Sequence, residues 1–380
     1  MSGVDAHAWE EAGLYSPANP GADERLALLE YLVARGATLA QMVEAHERGN
    51  LPAVAGDLVV GSERPTRSVA ELAAATGFSE ERLRRVLLAA GLPVTADTKL
   101  PAELAELMTA FAQGAALMGE DAILAFTRVL GTAATNIAEA AVALFYAELG
   151  PGTEREGSDE MARAKVAETA TLAFTTVPEA LRRMVLAQFD RAVRRAQLSR
   201  GWSSPDGTSI PGGAGQGEVV ARGFVDLVGS TAWAQGLSLR DQSLALARFE
   251  SAAWSSAVLA GGRVIKMIGD EVFFTAPSVD ATCAIATEVC RAVEADPLLP
   301  PARGAVGLGL VTPREGDYFG PLVNLVSRLV KAATPGTVVV TEEAAATLTD
   351  GWVARPLGPQ VLRGLEHPVA AFAVTSAHRD

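Results

Sequence analysis

Two periodicities divide this chain. From residue 1 to about residue 200, apolar residues recur every three or four positions, as in DERLALLEYLVARGATLAQMVEAHERG (residues 23–49). That spacing gives each helix one apolar face, and the breaks fall at glycines. In SVAELAAATGFSEERLRRVLLAAGLP (68–93) two short helices are predicted. The first closes at Gly77, and Ser79 caps the second with Glu80 and Glu81 in its first turn. The stretch from Pro101 to about Leu149 is rich in alanine and leucine and carries little charge, which predicts helix buried on most sides. A further long helical region is expected from Asp159 to Arg200, with a basic, amphipathic end.

After GWSSPDGTSIPGGAGQG (201–217), a Gly/Ser/Pro linker, the pattern changes. EVVARGFVDLVG, GRVIKMIG, EVFFTAP, RGAVGLGLVTP and GTVVVTEE are β-branched runs bounded by Gly and Pro. They alternate with helical stretches at about 239–260, 278–294 and 321–333. A strand, helix, hairpin, helix, strand order predicts a ferredoxin-like α+β domain, an antiparallel sheet with helices on one face. The expected organisation is an all-α domain over 1–200, the linker, and an α+β domain over 218–380.

Composition narrows the function. A chain of 380 residues with 49% hydrophobic and 20% charged residues has material for two cores. The net charge of −13 argues against nucleic acid as a partner, so the helix pair at 68–91 is read as structural rather than DNA-binding. Cys283 and Cys290 lie about 10 Å apart along a predicted helix, too far to bridge, which fits a reducing cytoplasmic location. The N-terminus has no basic leader or apolar stretch. The apolar segment after Asp121 is interrupted by Arg128, Asn136 and Glu139, so no transmembrane segment is expected.

Four features of the second half carry chemistry. Asp226 ends the first strand, ahead of Gly229, Ser230 and Thr231, whose backbone N–H groups enter a helix and can receive phosphate oxygens. Lys266 and Asp270 sit in the polar centre of an otherwise apolar hairpin, RVIKMIGDEVFF. Two strand-end aspartates on adjacent strands form a costly carboxylate pair unless cations share it, which favours Mg²⁺ or Mn²⁺. Asn324 and Arg328 share one helical face, and Arg363 precedes a glycine between two late strands.

FVDLVGST, KMIGDEVFF and DYFGPLVNLVSRL, in this order and at these separations, resemble the catalytic domain of class III nucleotidyl cyclases over about residues 218–377. The resemblance implies a head-to-tail homodimer with ATP sites at the interface, each built from both chains. It implies that Asp226 and Asp270 hold two divalent ions per site, Mg²⁺ or Mn²⁺, and that Lys266 and Asp317 read the purine. Asn324 would orient the ribose, Arg328 would meet transition-state charge, and Arg363 stands where the family often has a phosphate-binding lysine. A lysine donor suits adenine N1 and an aspartate acceptor suits its N6 amino group, whereas guanine reverses both polarities. The implied product is 3′,5′-cyclic AMP. Leu325 and Val326 depart from the small residues usual in the family.

The helical half is similar to the regulatory domain of soluble mycobacterial cyclases that are autoinhibited and respond to pH. His46, His367 and His378 are the candidate proton switches. The Ala/Leu-rich helices leave open a fatty acid or lipid ligand. The alternative function is a catalytically silent nucleotide-sensing module.

Overall fold

The computed structural model describes residues 6–60, 65–95, 98–148, 159–200 and 218–377. The predicted linker 201–217 and His378 lie outside them. The chain divides into two compact units that meet in sequence between Phe189 and Asp190.

The first unit is built from α1 (Ala6–Glu11), α2 (Ala22–Val33), α3 (Leu39–Glu47), α4 (Val54–Val60), α5 (Val69–Thr76) and α6 (Glu80–Ala89). These are followed by α7 (Leu104–Met118), α8 (Glu120–Glu148), α9 (Glu160–Phe174) and α10 (Val177–Arg200), the last crossing the boundary. It holds two apolar clusters. One gathers Trp9, Leu28, Leu29, Leu32, Met42 and Ala164, and the other Leu72, Leu83, Val86, Met108 and Phe111. Gly77 closes α5 in the left-handed region at φ 72°, and the Ser79 side chain accepts from Arg82 N at the start of α6, both as expected. Two departures follow from pairings the helical period cannot encode. A small ribbon joins β1 (Thr66–Ser68) to β2 (Lys99–Pro101). The segment expected to be buried on most sides is largely exposed: Phe126, Leu130, Val142 and Leu144 of α8 are open, and among the described residues α6 and α7 are its main neighbours.

The second unit runs β3 (Glu218–Leu227), α11 (Ser230–Gln235), α12 (Leu239–Leu259), β4 (Arg263–Ile268), β5 (Glu271–Ala276), α13 (Val279–Glu294) and β6 (Ala302–Arg314). It continues through β7 (Asp317–Phe319), α14 (Pro321–Ala332), β8 (Val338–Thr341), α15 (Glu342–Ala345), β9 (Trp352–Gln360) and β10 (Val369–Ser376). The sheet order is β4-β5-β3-β6-β8-β10-β9, with β7 paired to β6. The core β3-α12-β4-β5-α13-β6 is the predicted ferredoxin-like order.

Two details correct the prediction. The pair β6–β8 is parallel. Helices also cover both faces of the sheet. Alternation along β3 sends Val225 and Leu227 toward α12 and α13, and Phe224 toward α14. On the α14 side Phe224 stacks on Phe273 with ring centroids 4.4 Å apart, over Leu322, Val326 and Leu329. The α14 face thereby carries both an apolar floor and the polar residues beside it.

Candidate active site

Asp226 is the penultimate residue of β3, 2% exposed, and directly opposite Glu271 on β5 and Arg303 on β6. Cross-strand partners share a face, so these three side chains project together toward α14. Arg303 donates from Nε and Nη2 to Asp226 Oδ2, at 3.0 and 2.9 Å. Lys331, in the last turn of α14, donates to Asp226 Oδ1 at 2.5 Å and to Glu271 Oε2 at 2.6 Å. Burial pushes the Glu271 carboxyl above its ordinary range; Lys331 opposes the shift, and the fields of Asp226 and Asp270 add to it. Burial alone would lower Lys331, but its bonds to Asp226 and Glu271 leave it raised.

Asp270 follows Gly269, whose φ of 62° makes the β4–β5 turn. Its carboxylate accepts from the Ser230 hydroxyl, and its carbonyl accepts from Leu227 N at 3.1 Å. The two predicted metal aspartates thus sit at adjoining strand ends, with Glu271 within electrostatic reach of both. Their donors are hard carboxylate oxygens, and two cationic side chains already rest on Asp226 in the manner of stand-in ions. That chemistry fits a hard divalent cation. Among the described residues no group of three or more His, Cys, Asp and Glu side chains forms a cage. Two carboxylates would therefore need backbone, water or phosphate oxygens to complete a shell.

The predicted base-reading pair is brought together. Lys266 Nζ lies 2.5 Å from Asp317 Oδ2, with side chains 43% and 22% exposed. A bulge at Ile265 resets β4, so that Lys266 falls opposite Phe273. Asp317 Oδ1 also accepts from Tyr318 N at 2.8 Å, which fixes the carboxylate at the start of β7.

Asn324 and Arg328 lie one turn apart on α14, Asn324 exposed and Arg328 half-buried. Arg328 Nη1 donates to the Gly364 carbonyl at 2.9 Å. Arg363 itself is exposed, so the loop reaches the helix through its neighbour. An apolar groove of about 550 Å³ lies alongside, lined by Leu310, Phe319, Leu325 and Leu365, with His367 at its edge.

Sequence reasoning missed Glu271, Arg303, Lys331 and Gly364. Glu271 had a signal, standing beside Asp270, but Arg303 and Lys331 reach Asp226 only through the strand register and the placement of α14. Elsewhere, His46 is half-buried in the last turn of α3. A cleft of about 100 Å³ between α3 and α4, lined by Gln41, Glu44, Arg48 and Asp57, is too small and polar for an acyl chain. Cys283 and Cys290 are buried free thiols, each pushed up to about 12 by burial. Among the described residues no helix is long and apolar enough to cross a membrane.

No protein-family profile matches the chain. It is 32% identical over 372 residues to an uncharacterized protein of Mycobacterium tuberculosis, covering 97% of this chain and 94% of that one. It is 27% identical over 366 residues to a pH-sensitive adenylate cyclase of the same species, covering 92% and 88%. Over 128 residues it is 39% identical to an adenylate cyclase of Glutamicibacter nicotianae, covering 34% of this chain and 32% of that one. A solved adenylyl cyclase from P. aeruginosa aligns with 43% of this chain and 97% of that one, at 21% identity and a TM-score of 0.38.

Proposed function

The chain belongs to the class III adenylate cyclase family, and from that premise we propose that its second unit converts ATP to 3′,5′-cyclic AMP and pyrophosphate at the interface of a head-to-tail homodimer. The observation that carries the choice of ATP is the contact between Lys266 and Asp317. It sets one donor and one acceptor side by side, the polarity that adenine N1 and N6 require and guanine inverts. The pair is partly exposed, so opening it for a base costs little.

Asp226 and Asp270 would hold two divalent ions, Mg²⁺ or Mn²⁺. Bound there, such ions supply charge neutralisation for the triphosphate and lower the pKa of the ribose 3′-hydroxyl. The chain's own groups do the rest. Lys266 and Asp317 fix the base, and Asn324 holds the ribose so that O3′ faces the α-phosphorus. The O3′–P bond forms as the bond to the β-phosphate oxygen breaks, and pyrophosphate leaves. Arg328, with one N–H tied to Gly364, keeps further N–H groups for the equatorial oxygens of the α-phosphate. Arg363, exposed in the same loop, suits an outlying triphosphate oxygen. The first unit would govern how productively two catalytic units meet, with pH as the signal that the full-length relative suggests.

Purified chain incubated with ATP and Mn²⁺ should release cyclic AMP, and Asp270→Ala should abolish release. Nucleotide binding without turnover at every pH tried would replace this reading with that of a silent nucleotide sensor.

A further inference from the structure

Asp226 already carries a cation of the chain's own. Lys331 Nζ bridges Asp226 Oδ1 and Glu271 Oε2, while Arg303 takes the other Asp226 oxygen. The two cations differ in freedom. Arg303 grips Oδ2 with two N–H groups, donates a third to the Lys331 carbonyl at 2.6 Å, and is 18% exposed. Lys331 stands on the final turn of a helix, and its side chain is 51% exposed. The carboxylates below it are fixed on strands and are 3% and 10% exposed.

Both oxygens of Asp226 are therefore engaged, and a cation arriving at Oδ1 meets the positive charge of the ammonium already there. Two buried carboxylates side by side are costly without cations; Arg303 answers one oxygen of Asp226, and Lys331 answers the other together with Glu271. Leaving does not strand Lys331, because Glu271 still accepts from it. The exchange replaces one half of a bridged contact and keeps the other.

We propose that Lys331 is a built-in competitor for the divalent cation at Asp226: it compensates the buried carboxylate beforehand, withdraws onto Glu271 when the cation binds, and so raises the metal concentration at which the site fills. This rests on the metal reading above. Lys331 acts through Asp226 and is a positioning residue, not a catalytic one.

The test is Mn²⁺ binding to the full chain without nucleotide, read from the loss of the free-ion electron paramagnetic resonance signal. Asp226→Asn should remove the binding. Lys331→Met and Lys331→Gln should bind Mn²⁺ about three- to tenfold more tightly, and Lys331→Arg, which keeps the charge, should match the wild type. Glu271→Gln should weaken binding, and by less when Lys331 is already Met. Thermal unfolding in a chelator checks that each variant is folded. Should the neutral lysine variants fail to fold, the single change Glu271→Gln still decides, since unaltered binding there overturns the proposal. Unchanged or weaker binding in the lysine variants, with Asp226→Asn still silent, overturns the competitor and leaves the metal reading standing. Binding that Asp226→Asn does not touch overturns both.

Discussion

Gly364 holds φ at +75°, and its carbonyl accepts from Arg328 Nη1. A Cβ added there would lie 3.4 Å from that nitrogen, in a backbone region L residues avoid. Gly364→Ala should therefore cost about 1–2 kcal/mol in local strain, relieved by moving the loop and the guanidinium with it. The expected result is kcat reduced about ten- to a hundredfold, with KM for ATP changing little. Steady-state kinetics beside a thermal melt separates the two effects. A second prediction concerns the thiols. Burial holds Cys283 and Cys290 at about 12, up from 9.0, so both stay protonated at neutral pH and should resist alkylation until the chain unfolds. Their folded values are raised, so their contribution to stability is complete below pH 9.0 and drains away as pH climbs toward about 12. Replacing both with serine should flatten that alkaline loss in melts taken across the range.

At the scale of elements, β3, β4, β5, β6 and β8 were legible because β-branched runs bounded by Gly and Pro leave few other readings, whereas the three-residue β7 is too short to carry such a pattern. The ends of α12, α13 and α14 fell within a residue or two of the predicted spans. The face assigned to α14 was not legible. Its stripe of Leu322, Val326 and Leu329 says that something is covered, not which side of a sheet does the covering. The bulge at Ile265 is likewise a property of pairing, since RVIKMI reads as plain alternation until Val264 and Lys266 are set against Phe274 and Phe273. The same holds for Arg303, which meets Asp226 only because β3 and β6 take one register out of several. In the first unit the Ser68–Glu71 box at the head of α5 has both reciprocal bonds, Glu71 N to Ser68 Oγ and Ser68 N to Glu71 Oε2. Ser68→Ala should cost about 1 kcal/mol of that unit's stability, measurable as a shifted denaturant midpoint with unchanged slope.

At the scale of the whole molecule, the proposed dimer makes a strong demand. If each site draws Asp270 from one chain and Lys266 from the other, then Asp270→Ala and Lys266→Ala are each inactive as homodimers. Mixed after separate purification and exchange, they should regain about a quarter of wild-type activity. Half the dimers are then mixed, and each of these has one intact site of two. Activity that stays at zero on mixing, with mixed dimers confirmed by differential tagging, would put both residues in a single-chain site. Regulation is tested by cyclase rate against pH for the full chain and for residues 201–380. The two profiles should differ in shape; if they overlay, the helical unit is not the proposed governor.

The contact between Arg328 and Gly364 also bears on how this protein can be engineered. The turn between β9 and β10 exposes Arg363 and Gly364, the kind of place chosen for an epitope tag or a fused sensor, while Leu362 beside them is buried. Here a surface turn is tied by a hydrogen bond from Arg328 Nη1 to the Gly364 carbonyl, and so to the side chain proposed to meet the α-phosphate. A graft beside Gly364 that leaves Leu362 seated should yield a protein that folds and loses its activity, and the silence would come from the graft's address rather than its content.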